Sequence, residues 1–389
     1  MTKKWDVYKL SKIKKKIFDI STIGITDGAG AAIAAVFWFY IASELGPENY
    51  GELTYLISIA AIVSGIALFG SQHTILVLTG KKIDIHATIY LMTIVANVIG
   101  SVIVFVLFFN LGVSLVIIAY SLFALVSSDI LGRKLYKSYL RYIITQKILL
   151  VIFGIGFYYL IGEIGILIGI GLSHSHLIIR IIKSIKNSKI SFNLIKEKKK
   201  FILNNWAISV NALVYGSIDK LVIGSFIGFG ILGNYSLGLQ FYSLLNLLPG
   251  MTVKYFIGQD ISGIPNKKLK KIIVLISIVV AILGSTIGPT VISYIFPKFT
   301  ESEDIIRIIS WALVPATIQA TYYFPKLWAA EKNNIILITT IIAASTQITG
   351  ILVLGTAFGG IGIALAMVLS NVLGLIFTFS ITKFFLKSN

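Results

Sequence analysis

Uncharged apolar stretches long enough to cross a lipid bilayer recur from one end of this chain to the other. The run ATIYLMTIVANVIGSVIVFVLFF (87–109) contains no Asp, Glu, Lys or Arg, and about 20 helical residues span the roughly 30 Å of a hydrocarbon core. No water is available at that depth to satisfy peptide groups, so such segments close their own hydrogen bonds as α-helices. Continuous rather than alternating hydrophobicity excludes a barrel. Composition agrees: 56% of residues are hydrophobic, 13% are charged and the mean hydropathy is +0.90, whereas soluble domains carry about 25% charged residues.

The pattern predicts twelve helices, at 18–43, 51–78, 84–109, 112–131, 138–161, 164–183, 201–227, 230–257, 272–295, 304–329, 333–357 and 360–385. The expected fold is all-α, a polytopic membrane protein. The basic N-terminal segment MTKKWDVYKLSKIKKKIFDI lacks a small-residue cleavage site, so no cleavable signal peptide is expected. Without cysteine, disulfides and thiolate metal sites are excluded.

A net charge of +18 raises the question of nucleic acid, but the charges alternate with the spans. With both termini in the cytoplasm, 28 of the 34 lysines and arginines fall on inner connections, while ELGPENYGE, IGEIG and IGFGILG on the other side carry none. This positive-inside bias accounts for the charge without a nucleic-acid partner and predicts a multi-pass protein of the cell membrane.

Two matches divide the chain. ELGPENYGELTYL and FIGFGILGNYSLGL align Gly46 and Gly51 with Gly228 and Gly233, and IGEIGILIGIGLSHS and FGGIGIALAMVLSN align Gly162, Gly165 and Ser173 with Gly359, Gly362 and Ser370. Each match joins spans running the same way, so two six-helix bundles, 1–190 and 191–389, are expected as parallel repeats. The lysine-rich segment 184–200 links them and can touch anionic membrane lipids. Transporters built this way bind cargo between their halves. The outer loops are too short to host an enzyme site, and no G-x-x-x-x-G-K-[ST] loop for ATP is present.

The turn LGPENYG, the segments IDKLVIGSFIG and LGNYSLGLQF, LLPG (247–250) and FGGIGIALAMVLSNVLG together resemble the polysaccharide-export flippases, O-antigen and teichoic-acid type, of the multidrug/oligosaccharidyl-lipid/polysaccharide superfamily. The likeness covers almost the whole chain and is weakest in spans three to five. It implies a flippase that turns polyprenyl-linked oligosaccharide from the inner to the outer leaflet by alternating access, driven by a coupling cation, proton or sodium. A monomer suffices and no cofactor is required. An ion-coupled exporter of small molecules or drugs is the alternative within the same superfamily, and a membrane-embedded polymerase or ligase is a third reading.

Span seven raises the sharpest chemical question, because SIDKLVIG (217–224) sets an aspartate beside a lysine inside an apolar run. On a helical wheel Asn204, Asn211, Tyr215 and Asp219 share one arc, a polar stripe about 22 Å long. Asp219 and Lys220 lie about 100° apart, so they are expected to flank one hydrated space rather than to pair. Lys220, with Arg180, Asn211 and Tyr215, is the candidate set for a phosphate or acidic sugar; the alternatives for Lys220 are an ion pair between bundles or snorkelling. Asp219 and Asp27 are the candidates for ion coupling. His174 and His176 fall on different faces, which argues against a metal site. Asp129 and Arg133, at i and i+4, are expected to pair. Pro249, Pro315 and Pro325 should bend their helices.

Overall fold

The computed structural model describes the backbone of residues 2–83, 85–188, 190–247, 256, 266–330 and 332–385; the side chains of 2–21, 187, 208, 211, 212, 214, 215, 329, 333 and 385 lie outside the description. Pro249 and its expected bend fall outside the described residues. Every regular element among the described residues is helical.

Among the described residues, eight helices are long and apolar enough to cross a membrane. Two of them, Thr22–Ala67 and Asn334–Phe384, have 46 and 51 residues, about twice the length one crossing needs. Each is broken by a glycine in the left-handed region, Gly46 (φ 73°) and Gly359 (φ 58°), and so supplies two spans. With Lys199–Phe226 and Phe229–Leu245 the twelve expected spans are accounted for. Their sides facing lipid are apolar, as on His86–Phe108, which exposes Val95, Ile99, Val102 and Val106.

The four aligned glycines at the turns all have positive φ with extended ψ. Gly46 (φ 73°, ψ 177°) corresponds to Gly228 (φ 138°, ψ 161°), and Gly162 (φ 73°, ψ −150°) to Gly359 (φ 58°, ψ −136°). A side chain is disfavoured at all four. The contacts repeat as well. A Cβ on Gly165 would strike the Phe157 carbonyl, and one on Gly362 would strike the equivalent Leu354 carbonyl. Ser173 bonds Gln146 across the fifth–sixth hairpin, and Ser370 bonds Ala343 at the same place in the eleventh–twelfth. In the other matched pair, a Cβ on Gly51 would strike the Phe229 carbonyl and one on Gly233 the Pro47 carbonyl. The two contacts are reciprocal, and Thr54 and Ser236, equivalent in the alignment, share a 3.1 Å hydrogen bond beside them.

The chain divides into two compact units, Met1–Trp38 with Ala60–Ser209, and Phe39–Ile59 with Val210–Asn389. The first has a core that includes Ile75, Leu78, Tyr90, Leu125, Ile130 and Leu177. The core of the second includes Ile223, Leu232, Tyr235, Ile305, Ile309 and Ile363.

Among the described residues span six has a 3-10 turn at Ser175–Leu177 and span eleven a π turn at Ile351–Gly355; spans ten and two are interrupted more heavily. Span ten passes through a 3-10 turn at Ser310–Ala312 and a π turn at Gln319–Tyr323, which bracket Pro315 and precede Pro325, as expected where proline removes a backbone donor. Span two breaks at Phe69 (φ 47°) and Gly70 (φ 69°). The cause is tertiary: the backbone of Asn205 and Trp206 lies so close to Gly70 that a Cβ there has no room.

Candidate functional site

Asp219 lies on the helix Lys199–Phe226, 5% exposed. Its Oδ2 accepts from the Tyr235 hydroxyl at 2.9 Å, and Tyr235 in turn accepts from Gln347 Nε2 at 3.3 Å. Three helices of the second unit thus meet at one carboxylate. Oδ1 accepts from the Lys220 backbone N–H at 2.8 Å and lies 3.4 Å from the Lys220 ammonium, which also donates to the Gly216 carbonyl at 3.1 Å. The expectation that these neighbours do not pair is corrected. The angle between their Cβ directions is large, but the four-carbon lysine stem bends back along the helix and closes the gap. Asn211 and Tyr215 are on the same helix, and their side chains lie outside the described residues.

Arg180 is found in a different constellation, within the first unit. Its Nε and Nη2 donate to Asp129 Oδ2 at 3.2 and 2.9 Å, Arg133 Nε donates to Oδ1 at 2.6 Å, and His86 Nε2 lies 3.2 Å from Oδ1. Asp129 is 2% exposed, and a carboxylate so buried needs such partners. The Asp129–Arg133 pair follows from their spacing; the Arg180 contact, 51 positions away, does not. Asp27 is exposed and accepts from the Tyr139 hydroxyl at 3.0 Å. His174 is committed to the Ile170 carbonyl and Ser173, and His176 stacks on Tyr142. No group of three metal-ligating side chains occurs among the described residues.

The cation that sequence reasoning overlooked is Lys147. It lies on the helix Tyr136–Ile161, eleven residues from Tyr136 and so about 16 Å along the span. It is half-buried, and its stem runs beside Gly30, where an added Cβ would sit 3.8 Å from Lys147 Cγ. Its ammonium forms no hydrogen bond or ion pair with any described residue. A signal was present in the sequence, a lone lysine in IITQKILLVIFGIGFYYL. The adjacent opposite charges at 219 and 220 drew attention instead. A charge at mid-membrane costs on the order of 2.5–3.5 kcal/mol on insertion scales, so an unpartnered ammonium there calls for water or an anion.

No family model and no curated protein matches the chain. Solved structures do match it. An inward-facing multidrug resistance transporter of the MATE family in the MOP superfamily superimposes with a TM-score of 0.70 at 14% identity, covering 92% of this chain and 94% of that one. The lipid II flippase MurJ in an inward closed conformation gives 0.71 at 18% identity, covering 92% and 87%. A MOP superfamily transporter from Pyrococcus furiosus, described as having a binding pocket of reversed polarity, gives 0.60 at 15%, covering 95% and 96%. The fold is that of these transporters.

Proposed function

We propose that this chain, sharing the fold of MOP superfamily transporters, is a flippase for polyprenyl-linked oligosaccharide. It carries its cargo from the inner to the outer leaflet of the cell membrane by alternating access, with both termini cytoplasmic. The observation that carries this reading is the Lys147 ammonium at mid-span, which makes no hydrogen bond or ion pair among the described residues. A pyrophosphate-linked lipid supplies the anion that such a group lacks, whereas a cationic drug would be repelled by it. MurJ, a lipid II flippase by its description, has the same fold.

In this reading Asp219 exchanges the coupling proton or sodium. Tyr235 is its fixed donor and Lys220 its displaceable partner, because a 3.4 Å ion pair is loose enough to open. Lys220 is exposed to the cargo only while Asp219 is occupied. Asn211 and Tyr215, on the same helix as Asp219, complete the proposed cargo-binding set with Arg180, and Asp27 is a second ion-coupling candidate in the first unit.

The second reading, an ion-coupled exporter of small molecules, is supported by the MATE match and by the buried Asp219 carboxylate. Deletion followed by leaflet-resolved analysis of polyprenyl-linked glycans separates the two. The flippase reading expects the intact unit to accumulate on the cytoplasmic leaflet, with rescue by the wild type and not by Lys147→Met. Unchanged glycans with altered drug resistance would decide for the exporter.

A further inference from the structure

Two helices of the first unit end in the same unusual way. Ser71–Gly80 is followed by Lys81-Lys82-Ile83, and Leu111–Gly132 by Arg133-Lys134-Leu135. In the first, Lys82 N–H donates to the Thr79 carbonyl and Ile83 N–H to Leu78; in the second, Lys134 N–H donates to Leu131 and Leu135 N–H to Ile130. This is the Schellman closure, whose left-handed position normally belongs to glycine. Here lysine occupies it twice, Lys82 and Lys134 both at φ 59°. The two helix ends abut, since a Cβ on Gly132 would meet Thr79 Cβ at 2.8 Å and the Leu76 carbonyl at 2.9 Å.

Both left-handed lysines line one cavity of about 940 Å³, together with Lys183, Arg133, Arg180 and Asp129. The buried Asp129 fixes the two guanidiniums and, having one charge, leaves an excess of positive charge. Arg133 commits only Nε and Arg180 only Nε and Nη2, so both Nη atoms of Arg133 and Nη1 of Arg180 make no bond among the described residues. Arg180 also stacks over the Tyr142 ring at 5.8 Å, which holds its plane. Lys82, Lys134 and Lys183 are exposed and form no ion pair among the described residues. Favourable helix-end electrostatics and the positive-inside rule explain why these residues are basic. They do not explain why two lysines accept a conformation that glycine adopts at less cost, or why a buried carboxylate sets two arginines at the base of the same hollow.

We infer that this cavity binds a phosphate-bearing anion at the lysine-rich face of the membrane. Planar guanidiniums held by a carboxylate suit phosphate oxygens, and the lysine rim adds point charge. The volume is that of a small-molecule site, and a basic pocket between spans at this level is where lipid headgroups bind. The site does not depend on what cargo crosses the membrane. Its ligand is either the headgroup of a resident anionic phospholipid or a soluble phosphate compound.

The test measures the melting temperature of the purified full-length protein in detergent micelles, titrated with phosphatidylglycerol, with phosphatidylcholine or with inorganic pyrophosphate. A saturable rise with phosphatidylglycerol alone identifies a headgroup site. A rise with pyrophosphate that also competes with the lipid identifies a soluble ligand. In either case the half-saturating concentration should increase about tenfold in Lys134→Gln/Lys183→Gln and stay unchanged in Lys267→Gln/Lys271→Gln, which neutralises exposed lysines of the other unit. If the first double variant does not fold, Lys82→Gln gives the same reading from one rim lysine. No saturable response to either ligand, or an equal effect of the two double variants, would overturn the inference in favour of diffuse attraction to a basic face.

Discussion

Lys147 and Lys220 are both lysines inside apolar spans, yet the protein treats them oppositely. Lys220 has a carboxylate at 3.4 Å and a carbonyl at 3.1 Å, and that carboxylate is held in turn by Tyr235 and, through it, Gln347. Lys147 makes no hydrogen bond or ion pair among the described residues; its stem passes Gly30, and the His174 ring is near enough to interact with it electrostatically. A charge satisfied by its own chain belongs to the architecture. A charge inside a span that has no hydrogen bond or ion pair among the described residues is a standing demand for water or an anion, and in the proposed transporter the cargo can meet it.

The contrast can be tested by removing partners. The largest effect is expected where a carboxylate serves most cations: Asp129→Ala strands Arg133 and Arg180 around a buried position and should cost about 3–5 kcal/mol, read as a lower melting temperature and lower abundance in the membrane. Asp219→Ala should cost about 3 kcal/mol, because it converts Lys220 into a second unpaired ammonium. Adding Lys220→Met should recover most of that loss, and strict additivity of the two substitutions in a double-mutant cycle would break the comparison. Tyr235→Phe removes one hydrogen bond to a charged acceptor and should cost about 1.5–3 kcal/mol. The smallest change in stability is expected for Lys147→Met, with a melting temperature equal to or above wild type, while the proposed leaflet transfer of a lipid-linked glycan falls about tenfold. A marked loss of stability in that variant would show that Lys147 has a structural partner after all.

The fold was legible because its determinants are local or periodic. Apolar runs located the spans, and the aligned glycines marked turns at which all four take positive φ. The sites were less so, because they depend on distance in sequence. Asp129 meets Arg180 across 51 positions, Tyr235 meets Gln347 across 112, and no wheel relates such pairs. The helical wheel also misjudged Asp219 and Lys220, since it projects Cβ directions and ignores the reach of a lysine. Span two was expected to run unbroken from 51 to 78; its interruption at Phe69–Gly70 is imposed by the backbone at Asn205 and Trp206, which no local pattern encodes.

The hydrogen bond between Thr54 and Ser236 has a consequence for substitution. Thr54 also donates to the Gly51 carbonyl at 2.9 Å, so Ser236→Ala leaves it a partner, whereas Thr54→Val leaves the buried Ser236 hydroxyl without its side-chain partner. Positions equivalent in the alignment are thus unequal in what they can lose.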